Sequence, residues 1–278
     1  MSKVIVIAHR KGGVGKTTTA VHLATGLAGM RVPVVAIDLD PQGNLGQFLG
    51  MGTAPDVYDL LMARQPERAL AGALASVGDR YPCLRVIRGD NETKAAELAL
   101  GSPQASRSLT QALQAVTQIV QSKAQLNGRS PYIIFDTPPG LGSLQVSALT
   151  VADYLLIPIN PAFASETGLP RMGEEIRAIR ERSGRGARLL AILPTRYKQR
   201  TLEHQEVLNG LAATFGADKI YPPVRDTVRL EEAPGRGLPV WDYDPDGIGA
   251  TDYAAVVKRF LDDMGLLPHG SRRNRRRE

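Results

Sequence analysis

The sequence predicts an α/β fold built on a single doubly wound, mostly parallel sheet flanked by helices. An apolar run, Val4-Ile5-Val6-Ile7-Ala8, leads through a glycine-rich turn into the helical pattern Thr19–Ala28. Two further apolar runs, Val34–Ile37 and Tyr132–Phe135, each end in an aspartate. Strand-then-helix patterning repeats along the rest of the chain, which favours parallel strands with helices on both faces. A chain of 278 residues with 43% hydrophobic content can bury a core of that size.

In chain order, strands are expected near 3–8, 33–38, 84–87, 131–136, 153–159, 187–193 and 218–221. Helices are expected roughly at 16–30, 56–63, 67–77, 105–126, 143–151, 167–182, 200–215 and 250–264. The chain contains no internal repeat, and only its extreme C-terminus is strongly biased in composition.

The turn after the first strand reads Lys11-Gly12-Gly13-Val14-Gly15-Lys16-Thr17-Thr18. Glycines 12, 13 and 15 let the backbone curl around a phosphate where a Cβ would block the approach. The N–H groups of the turn and of the following helix N-terminus then face the anion. Lys16 can reach β- and γ-phosphates, and the Thr17 hydroxyl is placed to ligand Mg²⁺. The run Val34–Ile37 delivers Asp38-Leu39-Asp40-Pro41-Gln42-Gly43-Asn44, and Tyr132–Phe135 delivers Asp136-Thr137-Pro138-Pro139-Gly140. In an open α/β sheet, ligands bind beyond the carboxyl ends of the strands, so these three segments converge on one place. Asp38 is open to two readings, an interior structural residue or a member of the site.

A strict phosphate loop would carry glycine at position 10, where this chain has Arg10, and a second lysine, Lys11, heads the loop. This deviant Walker A sequence resembles the P-loop NTPases of the ParA/MinD family of dimerising ATPases. D-L-D-P-Q-G-N and D-T-P-P resemble the family's switch I and switch II segments. The resemblance implies an ATPase using ATP and Mg²⁺. It assigns Lys11, Lys16 and Asp40 to catalysis and Lys11, Gly12, Gly13, Val14, Gly15, Lys16, Thr17 and Thr18 to nucleotide binding. Thr17, Asp40 and Asp136 fall to the metal. Lys11 is then expected to cross a homodimer interface to the partner's phosphates, and Asp40 to orient the attacking water.

Two basic segments resemble the chromosomal-type ParA proteins, often called Soj. Tyr197-Lys198-Gln199-Arg200-Thr201-Leu202 is similar to [YF]-D-x-R-T-x-L, and Arg225–Pro234 to P-R-N-V-R-L-x-E-A-P. The likeness implies a DNA-binding face made by Arg200 and Arg229, with Lys198 and Arg225 as neighbours. The chain departs from the pattern at Arg225-Asp226-Thr227, where the subfamily has Pro-Arg-Asn beside the adenine. The resemblance spans most of residues 3–264, and is loose over 76–130.

Net charge is +6, of which +4 lies in the last eight residues, with five Arg and one Glu. The remaining chain is therefore close to balanced. The tail reads as a solvated end or as a non-specific attraction for phosphate. Residues 1–267 are expected to form the ATPase domain and 268–278 a basic tail. The single cysteine, Cys83, excludes an intrachain disulfide and argues against the related nitrogenase iron proteins, which take two cysteines per subunit. No secretory leader or membrane-length apolar run is read, so a cytoplasmic, nucleoid-associated protein is expected.

The reading implied is a ParA-like partition ATPase. It forms a homodimer on ATP, binds double-stranded DNA non-specifically, and is stimulated by a ParB-like partner. No helix-turn-helix extension precedes the loop, as in short chromosomal-type members. Three alternatives share the loop: a positioner of protein cargo, a MinD-like membrane-associated ATPase, and a non-hydrolysing nucleotide-dependent DNA-binding regulator. The bare arginine end lacks the bulky apolar residues that a membrane anchor needs.

Overall fold

A computed structural model describes residues 2–102, 108–162, 177, 181 and 186–266. Seven strands form one sheet: β1 (Val4–Ile7), β2 (Val34–Asp38), β3 (Ala75–Ser76), β4 (Leu84–Ile87), β5 (Tyr132–Asp136), β6 (Tyr154–Ile159) and β7 (Arg188–Pro194). Their order is β3-β4-β2-β5-β1-β6-β7, and only the short edge strand β3 is antiparallel. The chain winds outward from β1 in both directions, so the crevice at the carboxyl end of β1 is the topological switch point.

Both faces of the sheet are covered, which is why its strands read as continuous apolar runs rather than alternating ones. Val4, Val6, Val35, Ile37, Ile133 and Phe135 point to one side. There they pack on α3 (Asp56–Met62), α4 (Pro66–Ala73), α5 (Glu92–Gly101), α6 (Leu109–Lys123) and α7 (Ser143–Val151). Ile5, Ile7, Val34, Ala36 and Ile134 point to the other, against α1 (Lys16–Gly29) and α11 (Ile248–Asp263). Among the described residues the remaining α-helices with given bounds are α2 (Asn44–Phe48), α8 (Leu202–Phe215), α9 (Val228–Glu232) and α10 (Val240–Tyr243). Helices α1 and α11 approach closely at Gly26, where a Cβ would lie 2.5 Å from Val257 Cγ2.

Most expected elements are found within a few residues of their expected bounds. The strand expected at 218–221 is a 3₁₀ turn, Ala217–Lys219, followed by a single parallel bridge from Ile220 to Ile192. Pro222 and Pro223 have no N–H to donate, so the ladder stops there. The helix expected over 67–77 ends at Ala73, because Ala75 and Ser76 pair with β4. Four helices were not expected: α2, α5, α9 and α10. The expected helix at 167–182 lies outside the described residues apart from positions 177 and 181, as does the tail at 268–278.

Candidate functional site

The loop between β1 and α1 is shaped by two glycines in the left-handed region, Gly13 (φ 72°) and Gly15 (φ 83°). A side chain is strained at both. Gly15 occupies the position before α1 without a capping side chain, leaving the first-turn amides open to an anion. Thr195, at the end of β7, holds the loop from behind: its hydroxyl reaches Val14 O at 2.9 Å and Ile159 O at 3.1 Å. His9 holds it from below, its Nδ1 accepting from the Lys11 N–H at 2.9 Å.

Lys16 is only 7% exposed and its ammonium donates to Lys11 O at 3.1 Å. Burial lowers its pKa, and the carboxylates of Asp136 and Asp40 act against that shift. The His9 imidazole is pushed down to about 4 by burial and by the Lys16 charge. Lys11 is half-buried, at the head of the loop.

Asp38 and Asp136 are register partners on β2 and β5, and both are fully buried. Asp38 accepts from Asp40 N at 3.1 Å and Leu45 N at 2.9 Å, so it braces the turn that follows it. Burial, then the nearby Asp136, hold its carboxyl well above the usual range. Asp136 is raised by burial too, and the Thr17 hydroxyl is the group that most favours its ionised form. Neither Asp136 oxygen makes a hydrogen bond of regular geometry. Asp40 is 7% exposed and accepts from Gln42 N at 3.0 Å.

These residues surround an open cavity of about 400 Å³. Gly12, Gly13, Gly15, Lys16, Thr17, Thr18 and Asp40 form one end, and Pro139 lies beside them. Thr195, bonded to the loop at Val14 O, and Arg196, Val224–Thr227, Leu230 and Tyr253 complete the lining. The cavity is large enough for a small-molecule ligand.

The basic residues separate into two settings. A backbone bridge between Tyr197 and Arg225 runs their two segments side by side. Lys198 and Arg200 are exposed where the chain enters α8, and neither has an ion-pair partner among the described residues. Arg229 is exposed on α9 and pairs with Glu232 at 2.8 Å. Arg225 instead faces the cavity, tied to Asp252 of α11 by Nε at 2.9 Å and Nη2 at 2.6 Å.

Sequence reasoning missed His9, Thr195, Gln145, Asp252 and Tyr253. Of these, only His9 carried a signal, since it stands two residues before the loop. The others act through tertiary contacts that no local pattern encodes.

The chain matches the AAA domain family model over residues 2–188. It is 34% identical to the chromosome partitioning protein ParA of Caulobacter vibrioides, covering 93% of this chain and 94% of that one. It is also 34% identical to the sporulation initiation inhibitor protein Soj of Bacillus subtilis, covering 93% and 98%. Among solved structures, apo McdA of Cyanothece superposes with a TM-score of 0.76 at 24% identity, over 94% of this chain and 100% of that one, a likeness of fold. With its lysine-headed phosphate loop and its two aspartate-bearing strand ends, the chain belongs to the ParA/MinD family of deviant P-loop ATPases.

Proposed function

We propose that this ATPase is a partition ATPase that dimerises on ATP and binds DNA non-specifically in that state. The observation that carries the reading is the loop from Lys11 to Thr18, with a buried Lys16 lining the cavity in the field of Asp136 and Asp40. Lys16 and the loop amides bind the β- and γ-phosphates of the chain's own ATP. Lys11 crosses to the partner's phosphates and stabilises the charge that develops there, as an arginine finger does. Asp40 orients the attacking water.

The residues present also suit Mg²⁺. A buried carboxylate with no regular hydrogen bond is costly unless a cation accompanies it, which describes Asp136. Mg²⁺ is ordinarily held by one or two side chains together with substrate phosphates. Thr17 and Asp136 would hold it with Asp40 beside them, and it would neutralise charge on the phosphates.

Because ATP joins two subunits, its hydrolysis dissolves the bridge. Arg200 and Arg229, with Lys198 and Arg225 near them, form a weak DNA patch on each subunit. The dimer gains from presenting two at once. A ParB-like partner stimulates turnover, and the protein works in the cytoplasm on the nucleoid. Hydrolysis assayed with and without duplex DNA and the cognate partner tests the reading. Turnover that rises with both supports it, and nucleotide binding without turnover under any condition overturns it.

A further inference from the structure

Helix α7 begins directly after the loop Thr137–Gly142 and has no cap of its own, since Gly142 offers no side chain. Glu97, from α5, supplies one across the fold. Its Oε1 accepts from Ser143 Oγ at 2.8 Å and from Leu144 N at 3.1 Å, and its Oε2 takes Lys94 Nζ at 2.6 Å. Glu97 is 6% exposed. Burial pushes its carboxyl up, but the bonds from Lys94, Ser143 and Leu144 outweigh that and hold it below the ordinary range. A carboxylate at a helix N-terminus also complements the helix dipole.

The same first turn of α7 grips the loop from the other side. Gln145 Nε2 lies 3.3 Å from both Thr137 Oγ1 and Pro138 O, and 3.4 Å from His9 O. Thr137 Oγ1 in turn donates to Ile7 O at 2.8 Å, and Gly140 N donates to Arg10 O at 2.8 Å. One end of this loop is Asp136, and Pro139 within it lines the phosphate end of the cavity.

We infer that Glu97 is a positioning residue for hydrolysis: by capping α7 it fixes the loop that joins Asp136 to α7. This rests on the chain hydrolysing ATP. Glu97 touches no lining residue at the Lys16 end, so its loss leaves phosphate binding in place while the loop drifts. A misplacement of that kind costs rate more than affinity.

The test compares Glu97→Ala, Glu97→Gln and Gly142→Ala in the full chain by ATP affinity, kcat, KM and thermal unfolding. Glu97→Ala keeps ATP affinity within about threefold and loses at least about tenfold in kcat. Glu97→Gln recovers most of that rate, because its amide oxygen still accepts from Ser143 and Leu144. Gly142→Ala brings a Cβ to 3.1 Å from Glu97 Oε1 and lowers kcat in the same direction by displacing the carboxylate rather than removing it. A lowered melting temperature with kcat unchanged in the folded variants overturns the inference, as does equal damage from Ala and Gln. Wild type failing to hydrolyse ATP would instead overturn the parent reading.

Discussion

At the scale of single residues, the proposed function divides the work of binding and assembly between the two loop lysines. Lys16 lines the cavity whereas Lys11 is half-buried at the head of the loop, so their substitutions are expected to have different consequences. Lys16→Ala removes a charged contact to phosphate, of the order of 1.5–3 kcal/mol, and weakens ATP binding roughly 10- to 100-fold by equilibrium titration. Lys11→Ala still binds ATP with near wild-type affinity but dimerises poorly and hydrolyses slowly. Wild-type turnover in a normal ATP dimer of Lys11→Ala would remove its role at the interface.

Buried His22 makes a second residue-scale prediction. Val240 N–H donates to its Nε2 at 2.9 Å, and Thr18 O lies 2.6 Å from Nδ1, so the Nδ1–H tautomer satisfies both partners. A proton on Nε2 would set two N–H groups against each other. Burial likewise pushes the imidazole down to about 4. The unfolded chain therefore binds this proton first, and stability falls as pH drops from about 6.5 towards 4, by ~1.4 kcal/mol per unit for this group. Asp38 and Asp136, whose folded pKa values are raised, work in the opposite sense. The comparison of His22→Gln with wild type isolates the imidazole: in denaturant melts between pH 6 and 4.5, wild-type stability should fall relative to the variant's as pH drops, whatever the sign of the shared background. Parallel pH profiles would contradict this.

At the scale of elements, close packing sets the cost of change. Gly26→Ala improves helix propensity by up to ~1 kcal/mol, but its Cβ would meet Val257 at 2.5 Å. Overpacking of a rigid interface costs ~1–3 kcal/mol, so net destabilisation is expected by chemical denaturation. The sequence made the central strands legible because both their faces are buried. Helix α5 was hidden because its buried face carries Thr93 and Glu97 beside Ala96 and Leu100, so no apolar stripe marks it. The phosphate loop and the aspartates at the carboxyl ends of β2 and β5 were legible because they are contiguous motifs. The rest of the cavity lining was not, since Thr195, Arg225 and Tyr253 come to it from separate segments of the chain. The proposed DNA face, with exposed Lys198, Arg200 and Arg229, is tested at the scale of elements as well. Arg200→Glu with Arg229→Glu should abolish ATP-dependent DNA binding while leaving the ATP dimer intact. Wild-type affinity should fall steeply with salt, as phosphate contacts require. Retained binding by the double variant in a salt series on unrelated duplexes would contradict the assignment.

At the scale of the whole molecule, one nucleotide is asked to govern subunit association, and association to govern DNA affinity. The single chain holds the parts of that proposed device beyond the carboxyl ends of its strands: the phosphate loop after β1, the buried Asp136 ending β5, the loop that follows it, and the arginine segments after β7. The most direct measurement is the molar mass of Asp40→Ala by light scattering with ATP and Mg²⁺. That variant binds ATP, fails to orient water, and should accumulate as a dimer of twice the 30.0 kDa chain mass. ATP bound at full occupancy with the mass remaining at 30.0 kDa would contradict the ATP-bridged dimer on which the account depends.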